Sequence, residues 1–309
     1  MDDNSSQTVR IRHTLEDFAE VNGLSICWDS FGKAKDPAVI LIAGMGTQMI
    51  GWDDEFCARL AARGFRVIRF DNRDVGRSSR LDHVGLPDVN RAMTRAWLNL
   101  PVSAPYLLND MATDVVGLMD GLGIRKAHVV GASMGGTIAQ AMAIRHPERM
   151  LSMTSIMSTT GDPDLPRPVT SVVQAVMRPM PQNLEGYVEQ YADTYRKLRV
   201  GRFSEEEPRD LDRAVRNHSR GLSPGGSARH MVAILASGSR RRALRSVFVP
   251  TLIIHGEIDP LVPLAAGIDT AKSIPGAELM VLENMGHSMP RRLWPRMIDG
   301  IASIATKAG

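Results

Sequence analysis

A serine with glycines two residues away on either side, Gly131-Ala132-Ser133-Met134-Gly135, points most directly to covalent chemistry in this chain. It follows the apolar run Ala127–Val130 and precedes the helix formers Ile138–Ile144, so it reads as a sharp strand-to-helix turn exposing its hydroxyl above a sheet. The glycines have a steric reason. A nucleophile at such a turn has a strained backbone, and side chains two residues away would strike the neighbouring strand and helix. At average Gly and Ser usage a chain of this size yields roughly 0.1 chance matches, so the flanks must support the pattern.

A second match, Gly221-Leu222-Ser223-Pro224-Gly225, lacks that support. The residue after the nucleophile must offer its main-chain N–H to the developing oxyanion, and proline has none. The preceding Arg216–Arg220 is polar instead of a buried strand. Ser223 is therefore rejected as a nucleophile.

Serine hydroxyls need a base, and the base needs an orienting carboxylate. Of eight histidines, only His287 lies in a loop beyond the last predicted strand, after Asn284-Met285-Gly286 and before a helix starting near Pro290. His255 ends a buried strand and His146 a helix, where packing or dipole complementation accounts for them. His13, His83, His128, His218 and His230 have no matching context. Three acids stay open: Asp259 after the Thr251–His255 strand, its neighbour Glu257, and Asp162 after the Leu151–Met157 strand. Asp259 follows a strand's carboxyl end, where open α/β sheets place site residues. For the oxyanion, Met134 supplies one N–H by position, and the loop Ala43-Gly44-Met45-Gly46 supplies the other, from Met45 first and Gly44 second.

The elements that must position these residues follow from hydrophobic patterning. Asp17–Val21 and Leu24–Asp29 alternate around Asn22-Gly23, a dipeptide suited to the positive φ values of a hairpin turn. Buried runs then alternate with amphipathic stretches, as in βαβ units with a mostly parallel sheet flanked by helices. Further strands are expected at Ala38–Ile42, Phe65–Phe70, Ala127–Val130, Leu151–Met157, Thr251–His255 and Glu278–Leu282. Helices are expected near Asp53–Ala62, Asn109–Leu122, Met134–Arg145, Leu264–Ser273 and Pro290–Thr306. Thr159–Phe248 has helical patterns but no buried strand, which predicts a helical cap at 159–248 inserted into a core of 1–158 and 249–309. A smaller excursion runs over Val84–Leu107.

Composition narrows the class. The net charge of +3 comes from 37 basic and 34 acidic residues that are interspersed, which argues against a nucleic-acid partner. The densest basic cluster, Arg240, Arg241, Arg242 and Arg245, reads as a solvated helix end. Cys27 and Cys57 have neither zinc nor disulfide spacing and read as free thiols; no metal or organic cofactor is implied. Met1–Ser6 has no leader character and no apolar run reaches the roughly 20 residues of a membrane span, so a cytoplasmic chain, monomer or homodimer, is expected.

Together these residues resemble the α/β-hydrolase superfamily over essentially the whole chain, with likeness to bacterial carboxylesterases and the aclacinomycin methylesterase group. Ile42-Ala43-Gly44-Met45-Gly46, Asp71–Ser78 and Gly131-Ala132-Ser133-Met134-Gly135-Gly136 carry the likeness, with the Asp259 and His287 loops. The resemblance implies an α/β-hydrolase fold with a helical lid, and its chain order of serine, acid, histidine selects Asp259. It implies hydrolysis of small to medium-chain esters through a Ser133–His287–Asp259 triad. Lactonase, carbon–carbon hydrolase, acyltransferase and perhydrolase chemistry, or a ligand receptor, are alternatives. Where many relatives have His-Gly before the oxyanion residue this chain has Ala43-Gly44, which alters the loop's support. Asp71–Ser78 reads as an internally hydrogen-bonded turn near the pocket. Within the cap, apolar Val172, Val173, Val176, Met177, Met180, Met231 and Leu235 suit either an acyl pocket or packing against the core, and Val172, Met177 and Met231 are the candidate pocket residues beside Gly44.

Overall fold

The computed structural model describes residues 11–308; Met1–Ser6, read above for leader character, lies outside them. Strands β1 (His13–Val21) and β2 (Leu24–Phe31) form the expected hairpin, with Asn22 at φ 52° and Gly23 at φ 78°. Then follow β3 (Ala38–Ile42), α1 (Asp54–Ala61), β4 (Arg66–Phe70), α2 (Val89–Trp97), α3 (Leu108–Gly121), β5 (Ala127–Ala132), α4 (Met134–Arg145) and β6 (Met150–Ile156). Helices α5 (Thr170–Val176), α6 (Leu184–Leu198), α7 (Glu207–Arg220), α8 (Pro224–Ser237) and α9 (Arg241–Leu244) separate β6 from β7 (Thr251–Gly256). The chain ends with α10 (Leu264–Ser273), β8 (Glu278–Leu282) and α11 (Trp294–Thr306).

The eight strands form one sheet in the order β1-β2-β4-β3-β5-β6-β7-β8, with β1–β2 and β2–β4 antiparallel and the other pairs parallel. Side chains of the central strands alternate between two apolar layers. Ile40 and Ile42 join the α3 and α4 side, while Val39 and Leu41 join the α1 and α11 side. Burial on both faces explains the unbroken apolar runs in the sequence.

The chain runs from β3 to β4 on one side and later returns to β5 on the other, so β3 and β5 flank a switch point. Ile42 pairs with Gly131 across it, which brings the loop after β3 and the serine turn after β5 side by side.

One expectation is filled in and one corrected. The Val84–Leu107 excursion contains α2, started by Asp88, whose carboxylate accepts the Arg91 N–H at 2.9 Å. The arginine cluster is not a uniformly solvated helix end, because Arg240 is buried and donates to the carbonyls of Gly238 and Thr159 and to Gln140. Arg241 pairs with Asp162 and Asp269. Among the described residues, no helix is long and apolar enough to cross a membrane.

Candidate active site

Ser133 sits between β5 and α4 with φ 54° and ψ −119°, and its N–H bonds the Ile156 carbonyl at 2.9 Å. The glycines around it are sterically required. A Cβ on Gly131 would lie 2.0 Å from the Gly135 carbonyl oxygen, and one on Gly135 would lie 2.1 Å from that of Ile42.

His287, in the loop after β8, brings its Nε2 within 3.0 Å of Ser133 Oγ and its Nδ1 within 2.7 Å of Asp259 Oδ2. The Asp259 carboxylate fixes the Nδ1–H tautomer, leaving Nε2 to accept the serine proton. Asp259 is itself held by the Leu261 and Val262 N–H groups at 2.9 and 2.8 Å. The rival acids are engaged elsewhere: Glu257 accepts the Asn284 N–H, and Asp162 accepts from Ser239 and pairs with Arg241. His255 packs beneath the Asp259 loop and donates to the Val262 carbonyl at 2.8 Å; burial lowers its pKa and keeps it neutral.

The residues offered as oxyanion donors lie close to this serine, Met134 next to it in the chain and Met45 on the same cavity. Met134 is the first residue of α4, so its N–H has no intrahelical acceptor. The loop that carries Met45 lies beside the serine, since a Cβ on Gly44 would lie 3.4 Å from Ser133 Cβ. In place of the histidine that Ala43 lacks, two other side chains steady this loop. Asn72 donates to the Ala43 carbonyl at 3.2 Å, and His230 Nδ1 accepts the Gly46 N–H at 3.1 Å.

His230 belongs to α8 and had no sequence signal, being one histidine inside a helix. Its Nε2 donates to the Arg73 carbonyl at 2.8 Å, so it joins the β3 loop to the Asp71–Ser78 turn. That turn is internally bonded: Asp71 accepts from Arg77 N–H and Ser78 Oγ donates to the Asp71 carbonyl. It also anchors the insertion, because Arg229 of α8 grips both Asp74 oxygens at 2.7 and 2.9 Å and Arg220 of α7 pairs with Asp71. Burial raises the Asp71 pKa to about 6.

Ser223, the rejected serine, is the N-cap of α8, accepting the Gly226 N–H with Pro224 in the first turn. The same residues that disqualify it as a nucleophile suit it to start a helix.

A cavity of about 730 Å³ opens on Ser133 and His287 and is lined by Gly44, Met45 and Met177. Val172 and Met231 do not line it. On α5 the cavity is met by Val173 and Val176, while Val172 is buried in packing; on α8 the lining stops at Ala228, a turn short of Met231. Among the described residues, no group of three or more His, Cys, Asp or Glu side chains is placed to hold a metal.

A family model described as alpha/beta hydrolase fold matches residues 37–290. The chain belongs to the α/β-hydrolase family. This α/β-hydrolase is an enzyme of the carboxylesterase type. It is 32% identical over 282 residues to rhodomycin D methylesterase of Streptomyces peucetius, covering 85% of this chain and 88% of the relative. It is 28% identical to a 3-oxoadipate enol-lactonase of Acinetobacter baylyi, covering 87% and 89%. Among solved structures, the enol-lactonase from Burkholderia xenovorans superposes with a TM-score of 0.71 at 24% identity, covering 94% of this chain and 100% of that one, a likeness of fold.

Proposed function

We propose that the chain hydrolyses small to medium-sized carboxylic esters through an acyl-enzyme on Ser133. As Ser133 Oγ attacks the carbonyl carbon, His287 Nε2 takes its proton, and Asp259 stabilises the imidazolium without being protonated. The tetrahedral oxyanion accepts hydrogen bonds from the Met45 and Met134 N–H groups. Collapse expels the alkoxide, which takes the proton from His287, and leaves the acyl group on Ser133. A water deprotonated by the same imidazole then releases the acid and restores the serine.

The observation that carries this reading is the His287 ring, within hydrogen-bond distance of Ser133 at 3.0 Å and of Asp259 at 2.7 Å. Similarity to rhodomycin D methylesterase supports ester hydrolysis and makes methyl esters the first leaving group to try. We read 159–248 as a cap on a core of 11–158 and 249–308, supported by the wall that α5, α6, α7 and α8 give the cavity.

The test is turnover of p-nitrophenyl and methyl esters of increasing acyl length by the wild type, Ser133→Ala and Ser223→Ala. Ser133→Ala is expected to lose about 1,000-fold or more in kcat, and Ser223→Ala to stay active. Full activity in Ser133→Ala, or fluorophosphonate labelling of Ser223 instead of Ser133, overturns the reading.

A further inference from the structure

The loop that carries His287 is held from two sides, and the division falls at the histidine itself. Up to Met285 its main chain is tied to the core: the Asn284 N–H donates to Glu257, and the Met285 carbonyl accepts the Ile258 N–H, both at 3.1 Å. From His287 onward, partners come from the connection between α6 and α7. The His287 N–H donates to the Leu198 carbonyl at 2.8 Å, the Met289 carbonyl accepts from Arg209 at 3.3 Å, and the Arg291 N–H donates to Glu206 at 2.8 Å. Every second residue over 287–291 is thus bonded through its main chain to a residue within 198–209. Of these groups, the Met289 carbonyl also accepts from Trp294 Nε1 at 2.9 Å.

The connection is itself fixed in place. Val200 and Phe203 have φ values of 55° and 52°. The left-handed region is disfavoured for such side chains, above all for a β-branched one, and persists only where the surroundings determine it. Here Arg199 and Asp210 form an ion pair across the connection, each side chain 3% exposed. Glu206 is equally buried and divides its oxygens: one accepts the Arg291 N–H, and the other faces Arg209 at 2.6 Å. The Arg209 guanidinium in turn lies over the Trp294 ring, 4.7 Å from its centroid. Buried ion pairs are poor sources of net stability. This one supplies a fixed acceptor and a fixed donor to the segment that leaves the catalytic base.

His287 must keep Nε2 on Ser133 while Nδ1 stays on Asp259, and misplacing a reacting group by about 1 Å can cost on the order of 100-fold in rate. We propose that Glu206 and Arg209 are positioning residues, which together with the Leu198 carbonyl make the α6–α7 connection a clamp that aims His287 at Ser133. The insertion then sets the turnover of even the smallest ester, besides walling the cavity. The inference rests on the ester-hydrolase reading above.

The experiment measures kcat and KM on p-nitrophenyl acetate, Tm, and the rate of fluorophosphonate labelling of Ser133 for wild type, Glu206→Ala, Glu206→Gln and Arg209→Met. Glu206→Ala is expected to lose about tenfold or more in kcat, with KM within about twofold and labelling slowed in parallel. Glu206→Gln keeps an oxygen for the Arg291 N–H and should recover kcat to within about threefold of wild type. Arg209→Met keeps an apolar stem over Trp294 and loses the donor to Met289; a kcat about threefold or more lower at unchanged KM is expected, and it carries the test if Glu206→Ala does not fold. Unchanged kcat in both Glu206→Ala and Arg209→Met, a rise in KM at constant kcat, or a Glu206→Gln as slow as Glu206→Ala overturns the clamp and leaves ester hydrolysis standing. A wild type silent on every ester, whose Ser133 is still labelled and labelled more slowly in Glu206→Ala, overturns the hydrolase reading and leaves the clamp.

Discussion

The main-chain N–H of Gly46 donates to Nδ1 of His230 at 3.1 Å, so a histidine of α8 sets the loop that carries the Met45 N–H. Two substitutions separate this bond from simple packing. In His230→Asn the side-chain oxygen can replace Nδ1 as acceptor, whereas His230→Gln places its amide nearer the position of Nε2. The expectation is a kcat within about threefold of wild type for His230→Asn and about tenfold or more lower for His230→Gln, less than the loss of an oxyanion donor itself. Steady-state rates on p-nitrophenyl acetate, with Tm recorded for each variant, decide it. Equal kcat losses in the two would reduce His230 to a packing residue.

The same histidine makes stability depend on pH. Burial lowers its pKa from the ordinary 6.5 to about 4, so it is neutral when folded near pH 7. Below 6.5 the unfolded chain takes up a proton that the folded chain refuses until pH nears 4. Its contribution is therefore complete above 6.5 and declines as pH falls, by roughly 3 kcal/mol across the whole interval. Denaturant unfolding of wild type and His230→Asn at about pH 7 and about pH 4.5 tests the sign: the wild type should lose more stability on acidification. A variant that loses as much as the wild type contradicts the assignment.

The parts legible in the sequence were those with a local cause. Ser133, His287 and Asp259 each follow the carboxyl end of a strand whose apolar run is visible, and Pro224 disqualified Ser223 through one missing N–H. Contacts made across the fold left no such trace. His230 reaches Gly46 over 184 residues of chain, and nothing near it in sequence distinguishes it from any helical histidine. Of the pocket residues, Gly44 and Met177 line the cavity, while Val172 and Met231 do not, for a different reason. Apolar character in the insertion marks packing as readily as lining, so Val172 and Met231 drew attention together with Val173, Val176, Met177 and Met180, which do meet the cavity, while the tyrosine spacing in α6 went unused. Arg240 was misread because charge runs are usually solvated, whereas this guanidinium ties two loop carbonyls together.

The serine turn has almost no spare volume. A Cβ on Gly135 would lie 2.1 Å from the Ile42 carbonyl oxygen, an atom of the central strand β3 that cannot retreat without breaking ladder bonds. Gly135→Ala is therefore expected to cost more than about 3 kcal/mol, in the range reserved for steric failure of a core. Thermal unfolding of the purified variant reads this out. A Tm within a few degrees of wild type would show that β3 and α4 can separate locally.

The loop bearing His287 is held from the insertion as well as from the core. The His287 N–H donates to the carbonyl of Leu198, at the end of α6, at 2.8 Å, and a Cβ on Gly286 would lie 2.2 Å from that oxygen. Gly286 has an ordinary negative-φ backbone, so an alanine there meets no conformational strain and acts by pushing the Leu198 carbonyl away. The imidazole then loses one of the contacts that aim Nε2 at Ser133, and small errors in such aim are costly to rate. Gly286→Ala is expected to lower kcat by about tenfold or more on p-nitrophenyl acetate, with a smaller change in KM. Unchanged kcat in a folded variant would mean that the Asp259 contact alone orients the ring. A loss of kcat with the Ser133 hydroxyl still reactive toward a fluorophosphonate, only more slowly, would instead locate the defect in the base.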